Sequence, residues 1–261
     1  MRSRSPGDTP TGVMQRAALI LDALDGVEYL NLSQIVAATG LPLSSAHRAL
    51  EQLVTLRWVH RRGKNYQLGM RIIELGSAAA QQNALRRAAL PSLHWLHRVT
   101  GCIVHLGVLD GDEVVYLEKI GGELVASIRS RVGSRLRAES STIGKALLAV
   151  DSSARAGSRD IDRARELRIV SEHERCMKGF SCVAAPIGPM ASGETAAISV
   201  FGSVAKIRTD RRIRISVQTA AAEIGRRMDL SRSAAPESRL PGTSAPRSSV
   251  PTSPAHGAYA D

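Results

Sequence analysis

Leu32-Ser33-Gln34-Ile35-Val36-Ala37-Ala38-Thr39-Gly40-Leu41-Pro42-Leu43-Ser44-Ser45-Ala46-His47-Arg48-Ala49-Leu50 is the stretch that decides the N-terminal fold. A short helix starts behind Asn31–Ser33, carries Ile35, Val36 and Ala38, and stops at Gly40. A second helix runs from about Pro42 to Leu56, with Pro in the first turn where an N–H has no intrahelical partner. At roughly 100° per residue, Ala46, Ala49, Leu50, Leu53 and Leu56 form one apolar stripe. Ser44, Arg48, Glu51 and Thr55 fall opposite, with Ser45 and His47 at the flanks. A recognition helix needs this arrangement, because its apolar side packs on the preceding helix while its first turns reach base edges. Arginine can pair two hydrogen bonds with guanine, and serine can bond a base edge or a phosphate.

The flanks extend the pattern. Val13, Ala17, Ile20, Leu21 and Leu24 repeat at helical spacing ahead of Gly26. After the second helix, Trp58, Tyr66 and Leu68 flank a basic turn, Arg61-Arg62-Gly63-Lys64, which reads as a β-hairpin. Three helices followed by a basic hairpin give a winged helix-turn-helix, with Arg61, Arg62 and Lys64 at the hairpin tip lying against phosphates. Taken alone, the same polar face also fits a small helical domain with a solvated side.

Beyond the hairpin, residues 71–99 read as helical, with Pro91 opening a second helix. From Cys102 the period shifts towards two, giving strands at Cys102–Leu109, Glu113–Ile120 and Leu124–Arg129. Asp110-Gly111 between the first two signals a hairpin. Helices are expected at Ile143–Val150 and Asp160–Leu167, strands at Phe180–Ile187 and Thr195–Phe201, and an amphipathic helix at Thr209–Met228. The fold class is α+β: helices packed on an antiparallel sheet behind the winged domain.

Composition narrows the function. The chain has 261 residues, of which 2 Phe, 2 Trp and 4 Tyr are the only aromatics, too few for modules that stack bases on aromatic platforms. Three cysteines suit a reducing, cytoplasmic setting rather than a disulfide scaffold. No apolar run reaches membrane-spanning length, so no membrane association is expected. The net charge is +11, yet residues 1–75 carry only 9 Lys/Arg against 6 Asp/Glu, so charge alone does not place a nucleic-acid site there. The last 31 residues hold 7 Ser and 5 of the 11 Pro and read as a disordered tail.

Residues 14–76 resemble the N-terminal domain of IclR-type bacterial transcription regulators. The resemblance rests on Met14–Leu24, Leu32–Pro42, Ser44–Leu50, Tyr66–Gly69 and Arg71–Gly76. It continues through Leu109–Tyr116, Arg129–Gly133, Gly144–Ala149, Cys182–Ile187 and Ile198–Val200, so that it covers about 14–230. It implies a winged helix-turn-helix DNA-binding domain at 12–70, a linker helix at 71–88 and a GAF-like effector-binding and oligomerisation domain at 89–230, between a disordered arm at 1–11 and the tail at 231–261 expected from composition. It also implies a repressor or activator that binds a palindromic double-stranded DNA operator as a homodimer or homotetramer. A small-molecule effector would act through the GAF-like domain, with no cofactor and no enzyme activity.

The same resemblance places effector contacts at Thr142, Ile143, Glu172, Cys182 and Ser199. Phe201 stands where a second hydroxyl is usual, which points to an apolar-bodied organic acid. Its carboxylate is expected near the helix start at Thr142–Gly144, where N–H groups bind anions. An ionised Glu172 opposes an anion there unless it accepts from a ligand hydroxyl. Leu43 replaces a usual basic residue, Glu139 a usual histidine, and residues 150–165 form a shorter stretch than is usual.

Other readings of the same residues stay open. Ile143-Gly144-Lys145-Ala146 is not a phosphate loop, since Glu139 stands where that motif needs Gly and Ala146 where it needs Ser or Thr. His173, Cys176 and Cys182 lack a four-ligand metal spacing but leave a Cys/His-dependent enzyme as an alternative. A further alternative is a DNA-binding regulator whose second domain serves oligomerisation only. Arg129, Arg131, Arg135 and Arg137 read either as a solvated face or as an attractor of anionic metabolites. His94 and His97 are expected in packing or surface roles.

Overall fold

The computed structural model describes residues 12–121, 130–151, 159–189 and 194–233. The N-terminal unit is built from α1 (Val13–Ala23), β1 (Leu30–Asn31), α2 (Leu32–Thr39), α3 (Leu43–Thr55), β2 (Val59–Arg62) and β3 (Asn65–Leu68). Asn31 starts α2 with a capping box. Its side chain accepts from the Gln34 N–H at 3.0 Å, while the Gln34 side chain accepts from the Asn31 N–H at 2.8 Å. Gly40 ends the helix with φ 68°, a left-handed conformation that costs glycine least, and its N–H donates to the Val36 carbonyl at 2.9 Å. That cap turns the chain into α3. Ile20, Leu24, Ile35, Leu41, Ala46, Leu50, Leu53, Val59 and Tyr66 form the core between these elements, as the stripe on α3 requires.

The wing has one strand more than the hairpin pattern implies. Leu30 pairs with Tyr66 and Asn31 with Asn65, so a three-stranded sheet runs in the order β1-β3-β2. Two residues are too few to show a period, which is why β1 leaves no trace in the sequence pattern.

The linker also departs from expectation. The helices are α4 (Met70–Gln82) and α5 (Ala84–Thr100), and they break at Asn83 rather than at Pro91. Asn83 takes extended backbone and caps α5 by accepting from the Arg86 N–H at 2.8 Å. Pro91 lies inside α5.

The second unit is a six-stranded antiparallel sheet in the order β6-β5-β4-β9-β8-β7. Its strands are β4 (Ile103–Asp110), β5 (Glu113–Ile120), β6 (Arg135–Arg137), β7 (Val170–His173), β8 (Phe180–Pro189) and β9 (Thr195–Ser203). β6 and β7 are short and were not expected, whereas the strand expected at 124–129 lies outside the described residues, as do the arm at 1–11 and residues 234–261. The helices are α6 (Thr142–Leu148), α7 (Arg159–Leu167), α8 (Val204–Thr209) and α9 (Arg211–Ser233). α9 therefore runs past residue 231, where the tail was expected to begin, because helical periodicity stops being visible before the helix does.

Strand alternation sends the two faces to different helices. Val104, Leu106, Val183, Ala185, Ile198 and Val200 pack on α5 and α9. Val114, Tyr116, Val170, Ala184 and Ala197 pack under α6 and α7. On the α6 side, His105 pairs across with Ser199, and Cys182 with both Glu172 and Phe201. The helix layers and antiparallel sheet are the GAF-like arrangement expected from the resemblance.

Candidate functional site

On α3 the structure places Ser44, His47 and Arg48 on the exposed face and Ser45 half-buried, while Ala46, Ala49, Leu50 and Leu53 are buried. Leu43, at the first position of the helix, is 58 % exposed. Arg62 and Lys64 project from the wing without a protein partner among the described residues. Arg61 differs, since its guanidinium donates from Nη1 to Glu51 Oε1 at 3.1 Å and from Nε to the Gly63 carbonyl at 3.1 Å. Among the described residues Arg48, Arg62 and Lys64 have no ion-pair partner and stand beside an exposed polar helix face, which is the chemistry a phosphate backbone and base edges recruit.

Under α6, Thr142, Glu172, Arg175, Cys176, Phe180, Ser181, Cys182 and Phe201 line a narrow recess that leaves no room for a water-sized sphere. Three of the expected effector residues, Thr142, Glu172 and Cys182, meet there. Ser199 lies next to them, opposite Ala184 and His105 in the sheet. Ile143 does not join them, because its side chain is buried in the core beneath α6.

The electrostatics of the recess resolve the tension over Glu172. Its carboxylate accepts from Thr142 Oγ1 at 2.7 Å and from Lys145 Nζ at 2.5 Å. The Lys145 side chain is 6 % exposed and also donates to Asp160 at 3.1 Å. Burial opposes the ammonium, but the bonds to Glu172 and Asp160 outweigh it and raise its pKa. Arg175 Nε stands 3.7 Å from Glu172 at the open side. Glu172 is thus neutralised from within the protein and leaves no bare negative charge facing a ligand. The helix start is capped as well, since Ser141 Oγ accepts from the Gly144 N–H at 3.0 Å. One of the three N–H groups at the expected carboxylate position, Thr142–Gly144, is therefore taken by the chain's own cap.

Gly144 makes this corner feasible. A Cβ there would sit 2.1 Å from the Ala138 carbonyl oxygen, so only glycine lets α6 lie against the 3-10 turn Ala138–Ser140. Phe180 and Phe201 stack with centroids 5.1 Å apart and planes 5° off parallel, forming an apolar wall.

Sequence reasoning missed a second polar cluster on this side of the sheet. His105 is buried, bonds Ser130 Oγ through Nε2 at 2.9 Å, and lies 5.2 Å from the Tyr116 ring. Burial, with a smaller contribution from Lys119, pushes its imidazole down to about 3, so it is neutral. Strand alternation offered the signal: His105 shares a face with Gly107, two residues on, and the register sets it beside Ser199.

Several readings fall away. Burial pushes the Cys182 thiol up to about 12, and His173 bonds Ser181 through Nδ1 at 2.9 Å, so the two form no nucleophile–base pair. Among the described residues no group of His, Cys, Asp and Glu is arranged to hold a metal. Arg131 pairs with Asp25, Arg135 with Asp110 and Glu113, and Arg137 with Asp112, so these cations are partnered. Arg129 lies outside the described residues. His97 bonds the Cys102 carbonyl in a packing role, and His94 is exposed.

A winged helix-turn-helix joined through a helix to an antiparallel sheet domain with a polar recess is the build of a DNA-binding transcription regulator. Comparison with known proteins makes the class specific. Residues 13–63 match the IclR helix-turn-helix domain, and residues 77–159 match the bacterial transcriptional regulator IclR C-terminal domain. The chain is 32% identical over 212 residues to the HTH-type transcriptional regulator XynR of Escherichia coli, covering 72% of this chain and 84% of that one. It is 29% identical over 192 residues to KdgR of the same organism, covering 64% of this chain and 73% of that one. The fold is shared with an IclR homolog from Microbacterium hydrocarbonoxydans solved with 4-hydroxybenzoate, at TM-score 0.71 and 22% identity over 84% of this chain and 100% of that one. The Thermotoga maritima IclR structure matches at TM-score 0.63 and 24% identity over 82% and 98%. The chain belongs to the IclR family, and it is a transcription regulator rather than an enzyme. Among the described residues no helix is long and apolar enough to cross a membrane.

Proposed function

We propose that this chain is a cytoplasmic, operator-specific repressor that binds palindromic DNA as a homodimer or homotetramer. Its operator affinity is set by a small organic acid with an apolar, ring-like body. Ser44, Ser45, His47 and Arg48 read base edges, and Arg62 and Lys64 hold phosphates. The effector enters the recess of Thr142, Glu172 and Cys182, with Ser199 behind it. The observation that carries this reading is the lining: a stacked Phe180–Phe201 wall facing a carboxylate that Lys145 already neutralises. A hydroxylated aromatic acid suits it, its ring on Phe201, its hydroxyl donating to Glu172 and its carboxylate turned to Arg175 at the open side. The 4-hydroxybenzoate held by the Microbacterium homolog is of that chemical class.

The recess is closed in this structure, with no room for a water-sized sphere, where ligand pockets usually offer roughly 300–1,000 Å³. A ligand must therefore bind a wider state unequally with this one, which is what coupling to DNA requires. The same closure favours the second reading, a domain used only for oligomerisation. Calorimetric titration of the full chain with a panel of hydroxylated aromatic and aliphatic acids, followed by DNA binding with and without each acid, separates them. Binding that shifts DNA affinity supports the effector reading; no binding across the panel supports oligomerisation alone.

A further inference from the structure

We propose that Arg61 and Glu51 form a brace that fixes the angle of the wing against the recognition helix. In this reading Arg61 is a positioning residue rather than a phosphate contact. Glu51 lies on the outward face of α3, one helical turn beyond His47 and Arg48. A bare carboxylate there would repel the phosphate backbone. Arg61 Nη1 meets it at 3.1 Å, and His47 Nε2 stands 3.8 Å from the same oxygen. On its other sides the Arg61 guanidinium is tied into the wing. Nε donates to the Gly63 carbonyl in the wing turn at 3.1 Å. The guanidinium carbon stands 5.6 Å from the centre of the Tyr66 ring, within cation–π range. Tyr66 itself is 3 % exposed and belongs to the core of the domain.

One side chain therefore joins three parts: the DNA-facing side of α3, the backbone of the wing tip and a buried ring. Only a planar fork with several fixed donors can hold all three at once. Arg62 and Lys64, on the same hairpin, have no partner among the described residues and supply the cations for phosphate. The division of labour explains how a domain of modest net charge orients its wing without relying on charge number.

The inference rests on α3 and the wing being the DNA-binding face, and the test keeps the two apart. The full chain is titrated with a duplex enriched by the wild-type chain from random-sequence DNA, and with poly(dI-dC), over a salt series. R61A is expected to weaken the enriched duplex about two- to fivefold, while the log–log salt slope stays at the wild-type value. R62A is expected to lower that slope by about 0.9 for each DNA-bound wing, about 1.8 for a dimer. E51A removes the acceptor that Arg61 grips and should weaken the enriched duplex, by no more than R61A because it also removes the carboxylate, and the double variant should bind no more weakly than R61A alone. R61K keeps the charge but not the fork, preserves the fold if R61A does not, and should weaken the enriched duplex as R61A does. A slope reduced by about 0.9 per DNA-bound wing in R61A, or additive weakening in the double variant, would overturn the brace while leaving the DNA face intact. If R48A and R62A were silent as well, the face and the brace would fall together.

Discussion

Replacing Glu172 by Gln tests whether the recess is held by a buried charge cluster. In the folded chain the Glu172 side chain is 11 % exposed and that of Lys145 is 6 % exposed, with 2.5 Å between Oε1 and Nζ. An exposed pair such as Arg137–Asp112, at 73 % and 75 % exposure, contributes at most about 1 kcal/mol. Breaking a buried pair from one side costs about 3–5 kcal/mol, because the remaining charge stays out of water without its partner. Two features of this site reduce that figure. Asp160 still faces Lys145 at 3.1 Å, and a Gln amide oxygen still accepts from Thr142. We expect about 2–3 kcal/mol, which corresponds to a fall of about 5–10 °C in the melting temperature of the effector-domain transition. Calorimetric melting of the wild-type chain, E172Q, K145M and the double variant reads this directly. The double variant should be destabilised by less than the two single variants combined, since it leaves neither charge behind. A fall of less than about 2 °C in both single variants would refute the reasoning, because it would show that these groups are hydrated in solution.

The remaining predictions concern pH, packing and binding. His105 is held neutral, with its pKa down at about 3 against an ordinary 6.5, by burial and by Lys119, beside Ser130 and the Tyr116 ring. The unfolded chain takes up a proton below pH 6.5 that the folded chain refuses, so this contribution is complete above 6.5 and is lost as pH falls towards 3. Denaturant melts should show H105Q closing on wild type by about 2 kcal/mol between pH 7 and pH 5, and a pH-independent difference would refute the assignment. G144A forces a Cβ to within 2.1 Å of the Ala138 oxygen and should cost about 3 kcal/mol in the same assay. R48A removes a guanidinium that can pair with guanine, and should reduce the preference for the enriched duplex over random DNA by about 1–3 kcal/mol, measured by competition. S199L places a larger side chain behind Cys182 and should abolish calorimetric binding of any acid that the wild type takes; unchanged binding would place the ligand elsewhere.

The DNA-facing half is legible from local pattern. The apolar stripe of α3, the Asn31 cap, the Gly40 stop and the basic hairpin are each written within a few residues, so periodicity and backbone chemistry are enough to read them. The long strands β4, β5, β8 and β9 are legible too, because their lengths let alternation show. What the pattern could not reveal depends on which distant segments meet. β1, β6 and β7 span 2, 3 and 4 residues, too short for a period, and exist because a longer neighbour offers them an edge. The resemblance named Glu172, Cys182 and Thr142 as a set, but the register of β7 on β8 and the seating of α6 are what bring them into one recess. Lys145 lies 27 positions from the carboxylate it neutralises, and Arg61 lies 10 from Glu51. Neither pairing leaves a pattern along the chain, because an ion pair across elements is fixed by packing geometry and not by spacing. That geometry is what paired Glu172 with Lys145 and tied Arg61 into the protein.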